Sequence, residues 1–146
     1  MTIIDKIKST IEPIVGSGNF HYADTEDLNV ELDSAFFPCA FSALIDTGTV
    51  EDKLGRFHER VNMQVLFADL SEVGIDGEEN ERLLQPQKER ALTWLAELRK
   101  SDSLSLETIN RTGRQYIKNS GYDVMITAYV VDVVISEKEG YGDCGK

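Results

Sequence analysis

The chain has 146 residues, one domain's length, and its 41% apolar and 28% charged content fits an ordinary globular protein with a core of its own. A formal net charge of −11 argues against a broad phosphate-binding surface, which needs clustered Lys and Arg, so sequence-specific nucleic-acid binding is not expected. No apolar run reaches the length of a membrane span, and the start MTIIDKIKSTIEPIVG lacks the apolar core and cleavage site of a signal peptide, which together predict a cytoplasmic protein.

Residues 2–15 place Ile3, Ile4, Ile7, Ile11, Ile14 and Val15 at helical spacing, with Asp5, Lys6, Lys8, Ser9 and Glu12 opposite. Thr2 fits the cap, and Pro13 with Gly16 ends the helix. So short an amphipathic helix must lie on the domain or on a neighbour. Segments 20–23 and 28–32 have strand character, the second alternating Leu28, Val30 and Leu32 against Asn29 and Glu31. Segment 36–45 (FFPCAFSALI) is a further strand, and Pro38 inside it points to an edge position or a bulge. Residues 46–52 read as a turn-rich polar connection around Gly48.

The clearest alternation runs through 55–69. Phe57, Val61, Met63, Val65 and Phe67 share one face, and Arg56, His58, Arg60, Asn62 and Gln64 share the other. This predicts a long strand of an antiparallel sheet with one buried and one polar face. An acidic loop over 70–79 follows. The main helix is predicted over 86–100, with Leu84, Ala91, Trp94, Leu95 and Leu98 on one stripe, to be packed on the 57–67 face. Pro86 either opens this helix or joins an earlier turn to it through a kink. Ser101 and Asp102 stop it. Leu104, Leu106 and Ile109 suggest a short strand or extended link. Segment 111–118 then leads through the turn Asn119-Ser120-Gly121 into 122–135, YDVMITAYVVDVVI, which is apolar on both faces. Such a strand belongs at the centre of its sheet or beneath a cover from outside. If the main helix covers one face, the N-terminal helix or another subunit is left for the other.

Without βαβ alternation the order predicts an α+β fold: a mixed or antiparallel sheet, one main helix packed on a face and a short N-terminal amphipathic helix. One domain spans 1–138, and 139–146 reads as a polar, flexible tail.

Chemistry is sparse. His21 and His58 are far apart and have no motif around them, and each reads as a surface residue. Asp69 to Gly74 opens like a calcium loop, but Val73 and Asn80 stand where ligands are required. Cys39 reads as a buried small hydrophobe and Cys144 as a tail thiol. Arg111, Arg114 and Lys118 around Tyr116 read as a salt-linked surface rather than an RNA platform. No catalytic, cofactor-binding or metal-ligating residues are assigned, and no enzyme activity or cofactor is expected.

The succession of an N-terminal amphipathic helix, a strand region ending in RFHERVNMQVLFADL, a crossing helix QPQKERALTWLAELRK and a final hydrophobic strand GYDVMITAYVVDVVISE resembles the tail terminator and neck (tail-completion) proteins of long-tailed phages and prophages. The resemblance covers about residues 2–138 and is one of order and spacing. It implies a non-enzymatic ring, often a hexamer, that caps the tail tube and joins it to the head-side connector. The implied partners are further copies of the chain, the tail tube and neck or connector proteins, in the host cytoplasm during assembly and then in the virion tail. Two other readings remain open at the level of sequence. One is a stand-alone α+β domain that binds a small molecule or acts as an enzyme in a sheet–helix crevice lined by Trp94, Tyr116, Tyr122 and Tyr129. The other is an adaptor of a secretion apparatus related to phage tails.

Overall fold

Helix α1 spans Ile3–Val15. Thr2 starts it with a reciprocal cap: its hydroxyl accepts from the Asp5 N–H, and the Asp5 carboxylate accepts from the Thr2 N–H at 3.0 Å. Gly16, at φ 102, ends it and donates its N–H to the Glu12 carbonyl. Ile3, Ile7 and Ile11 are its buried stripe. The computed structural model describes residues 1–24, 27–28, 36–71, 75–117 and 125–141.

The strands are β1 (Phe20–Ala23), β2 (Cys39–Ala43), β3 (Gly48–Lys53) and β4 (Arg56–Leu70), then helix α2 (Gly77–Lys100), then β5 (Leu104–Ile117) and β6 (Ile126–Glu137). They form one six-stranded sheet in the order β1-β2-β4-β6-β5. β3 pairs with the first part of β4, on the edge that β2 takes further along. Among the described strands only β1 and β2 run parallel to one another, so the sheet is mixed and the fold is α+β, as the element order predicts. The doubly apolar strand β6 is central, flanked by β4 and β5.

One face of the sheet carries the main core. Val61, Met63, Val65 and Phe67 of β4 and Val131, Val133 and Ile135 of β6 pack with Ala91, Trp94, Leu95 and Leu98 of α2 and with the α1 stripe. Trp94 is fully buried, its ring 5.9 Å from that of Phe67, and its Nε1–H donates to Thr10 Oγ1 at 2.8 Å. Each large side chain buried here contributes about 1.5–3 kcal/mol. The opposite face holds a smaller cluster of Leu28, Cys39, Phe41, Leu66, Ala68, Ile126, Ala128 and Val130.

The structure corrects several expectations. Both helices lie on the same face, packed on one another, so α1 does not cover the second one. Phe57 is exposed rather than core, and β4 is polar on its second face only up to Gln64, since Leu66 and Ala68 are buried there. Helix α2 begins at Gly77, behind the N-cap Asp76, and runs through Pro86. Residues 48–53 form a strand where sequence suggests a connection, because β4 supplies the partner. β2 is shorter than 36–45 and lies inside the sheet. Pro38 precedes it, so its missing donor is not needed by the ladder. Leu104 to Ile117 is one continuous edge strand rather than a link and a second segment. Of the strand expected at 28–32, residues 29–32 lie outside the described residues, and Leu28 sits in a helical turn. Residues 122–124 of the expected final strand and 142–146 of the expected tail also lie outside the described residues.

Candidate functional site

Among the described residues, those that sequence singles out for chemistry are not brought together. His21 is on β1 and His58 on β4. The His58 Nδ1 lies 2.9 Å from the Glu137 carbonyl oxygen. Gly140 presses on the same ring, and a Cβ there would lie 2.8 Å from His58 Nε2 and 2.6 Å from Arg56 Cβ. The Cys39 thiol is buried, which pushes its pKa up to about 12, with the charge of Asp69 adding to the shift. Asp69 caps the Leu70 N–H, and Asn80 accepts from the Thr127 hydroxyl, while 72–74 lie outside the described residues. Arg114 pairs with Glu81 across to α2. Trp94 is core and Tyr129 packs half-buried against it. Among the described residues no group of three or more His, Cys, Asp or Glu is placed to hold a metal, and no helix is long and apolar enough to cross a membrane.

Three other features stand out. The first is a polar patch on the sheet face opposite the helices. Arg60 pairs with Glu107 and, at 3.3 Å, with Glu51; Lys53 reaches both carboxylates at 3.4 Å. Ser136 donates to Glu107 at 3.2 Å, and Asn110 donates to Asn62 and Asp132 at 3.2 Å each. Burial alone would raise the Glu107 carboxyl, but the Lys53 bond and the Arg60 charge outweigh it and hold it below its usual value.

The second is a projecting hairpin. The β4–β6 ladder begins only at Arg60, whereas β3 and β4 stay paired out to Lys53 and Arg56. Leu54 and Gly55 close the turn at φ 54 and 79, the mirror-image turn that matches strand twist. Leu54 is fully exposed, and Val50 and Phe57 are also exposed. Phe57 is tied on its other side to Tyr141 by two backbone bonds of 2.9 and 2.7 Å. A lone Leu-Gly between polar strands is a weak turn signal, which is why sequence reasoning misses the hairpin.

The third is a groove of about 460 Å³ between the two helices, with Pro13, Ile14 and Thr93 along it and Glu97, Lys100 and Asp102 at its rim. Near the hairpin root the Lys6 ammonium meets the Glu137 carboxylate at 2.5 Å, with side-chain exposures of 12% and 0%. Hydrogen bonding to this carboxylate raises the Lys6 pKa against the effect of burial. None of these features is a nucleophile–base or metal constellation; each is a surface or a clamp. No protein-family model matches the chain, and no curated protein matches it.

Proposed function

We propose that this protein is a non-enzymatic structural subunit that assembles into a ring at the end of a phage or prophage tail tube, where it caps the tube and joins it to the head-side connector. The observation that carries the reading is the distribution of exposed apolar surface. Val50, Leu54 and Phe57 are exposed together on the one hairpin whose end runs past the β4–β6 ladder, and a contiguous exposed apolar patch is the kind of surface that a partner covers. The order of elements, with a doubly apolar last strand and a helix laid across the sheet, supports it through the resemblance to tail-completion proteins. An acidic surface suits a channel that DNA traverses without sticking. The crevice reading is less supported, since Trp94 lies in the core.

The test is to add the purified protein to tail tubes of the phage or prophage whose genes surround its own and to image the tips by electron microscopy. Ring-shaped density at one tip, with tubes held at a uniform length, is expected. Bare tips and an unchanged length distribution would refute the tail role.

A further inference from the structure

The two edges of the sheet are unequal. One is divided between β3 and β1, which has 4 residues. The other is β5 alone, 14 residues long, and among the described residues no strand pairs with its outer side. A row of unpaired N–H and C=O groups is recognised by an extended strand. Bulges between Leu106 and Thr108 and between Ile109 and Arg111 blunt the first half of β5. From Arg111 to Ile117 its ladder with β6 is regular, and Arg111, Thr112, Arg114 and Gln115 are exposed. Gly113, in the middle of this run, has no reason in its own chain: its φ is not positive, and a Cβ there would meet nothing within 4 Å. A glycine inside a strand weakens it and is a mark of close approach by another backbone. We propose that β5 of one copy pairs antiparallel with β5 of a second copy across a two-fold axis at Gly113, with Thr112 of each bonded to Arg114 of the other.

A second copy is the occupant because this run is its own complement, in backbone and in side chains. Asn62 bonds to Thr47 on the β3 side of β4, and Phe57 bonds to Tyr141 on the other, so the odd-numbered residues of β4 bond toward β6. Carried through the pairs Val61–Ile135 and Val130–Gly113, the alternation turns Gly113 and Gln115 inward to β6 and Thr112 and Arg114 outward. Centring on Gly113 therefore sets outward groups against outward groups and places the glycine at a pair that exchanges no bonds, where the backbones come closest. Arg111 then stands opposite Gln115, and Arg114 opposite Thr112, so no like charges are directly opposed. The two Arg114 side chains are diagonal neighbours, and each is already paired with its own Glu81. Centring on Arg114 would set that arginine against itself, and centring on Thr112 would carry the pairing into the bulge beside Asn110. A two-fold contact closes on itself and builds no ring. The dimer is thus a state of the protein away from the tail tube, and the inference goes beyond the ring-forming reading without depending on it.

Disulfide trapping tests the register. In a Cys144→Ser background, with Cys39 buried, Gly113→Cys adds a thiol that has free space in its own chain. Across the axis the two Cα atoms would lie about 4.5 Å apart, within the span of a disulfide. Oxidation should convert most of the Gly113→Cys protein to a covalent dimer on a non-reducing gel. Arg111→Cys should stay monomeric, because its two copies would be displaced by about 13 Å along the strands. Equal cross-linking of the two variants, or none of either, would overturn the proposal. Thr112→Pro tests the backbone pairing. It deletes an N–H that the chain's own ladder does not use, so the fold should tolerate it. The dissociation constant of the dimer in sedimentation equilibrium should rise about tenfold or more. A dimer as tight as that of the wild type, or a wild type that sediments only as a monomer at high concentration, would overturn the proposal. Thr112→Pro protein that still caps tail tubes would leave the tail role standing, and a dimer that leaves tubes uncapped would refute that role alone. The two readings therefore fail separately.

Discussion

Replacing Lys6 with methionine keeps the length of the side chain and removes its charge. The Glu137 side chain is fully buried, its Oε2 lies 2.5 Å from Lys6 Nζ, and Oε1 has no hydrogen-bond partner. Only the Tyr141 hydroxyl, at 3.3 Å, would remain on Oε2. Removing one partner of a buried pair typically costs about 3–5 kcal/mol, because the other charge is stranded. Lys6→Met should therefore destabilise the protein by about 3–5 kcal/mol at pH 7. Urea melts of the variant and the wild type measure this directly. The double variant Lys6→Met/Glu137→Leu, which removes both charges, should recover most of the loss. A loss below about 1 kcal/mol for Lys6→Met would refute the description of a buried, charged pair.

Trp94→Ala should cost about 3–5 kcal/mol in the same melts, through the cavity and the lost bond to Thr10; less than about 1 kcal/mol would remove Trp94 from the core. Leu54→Asn should raise thermal stability slightly, by about 0.5 kcal/mol, because asparagine tolerates the left-handed backbone of the turn; a fall in the melting temperature would contradict the turn geometry. The Glu107 carboxyl is held below its unfolded value, so it contributes stability above the unfolded value that is lost as pH falls through the folded one. Glu107→Gln should thus be less stable than wild type at neutral pH and equal to it in strong acid. A difference that persists at low pH would mean that its packing, not its charge, matters.

How much of this was legible depends on whether local pattern and tertiary partner agree. Helix α1 and the first part of strand β4 announce themselves by periodicity, and the central strand β6 by a long run of β-branched and aromatic residues apolar on both faces. β5 does not, because register shifts between Leu106 and Thr108 and between Ile109 and Arg111 break its alternation. β3 has one apolar residue, Val50, and is a strand only because β4 extends beyond β6 to pair with it. Pro86 masks the first turns of α2, which Asp76 caps through the Glu79 N–H. Amphipathicity shows that a helix has a buried side but not which face of a sheet receives it, so the placement of α1 beside α2 was not readable. The hairpin, the groove and the Lys6–Glu137 pair join residues distant along the chain or depend on backbone pairing, and none leaves a local motif.

The position of β6 has a consequence for biosynthesis. It is the last of the described strands to leave the ribosome, yet it lies between β4 and β5 and bonds to both along nearly its whole length. A nascent chain that ends before Ile126 therefore carries two long strands with no central partner, and Lys6 has no Glu137 to close on. The sheet cannot zip progressively from the N-terminus; it completes in a late step, and β4 keeps an apolar edge available to other chains until then. Truncation within the final strand should give aggregates rather than a smaller domain, so the cell's margin for error lies in the interval between synthesis of β4 and arrival of β6.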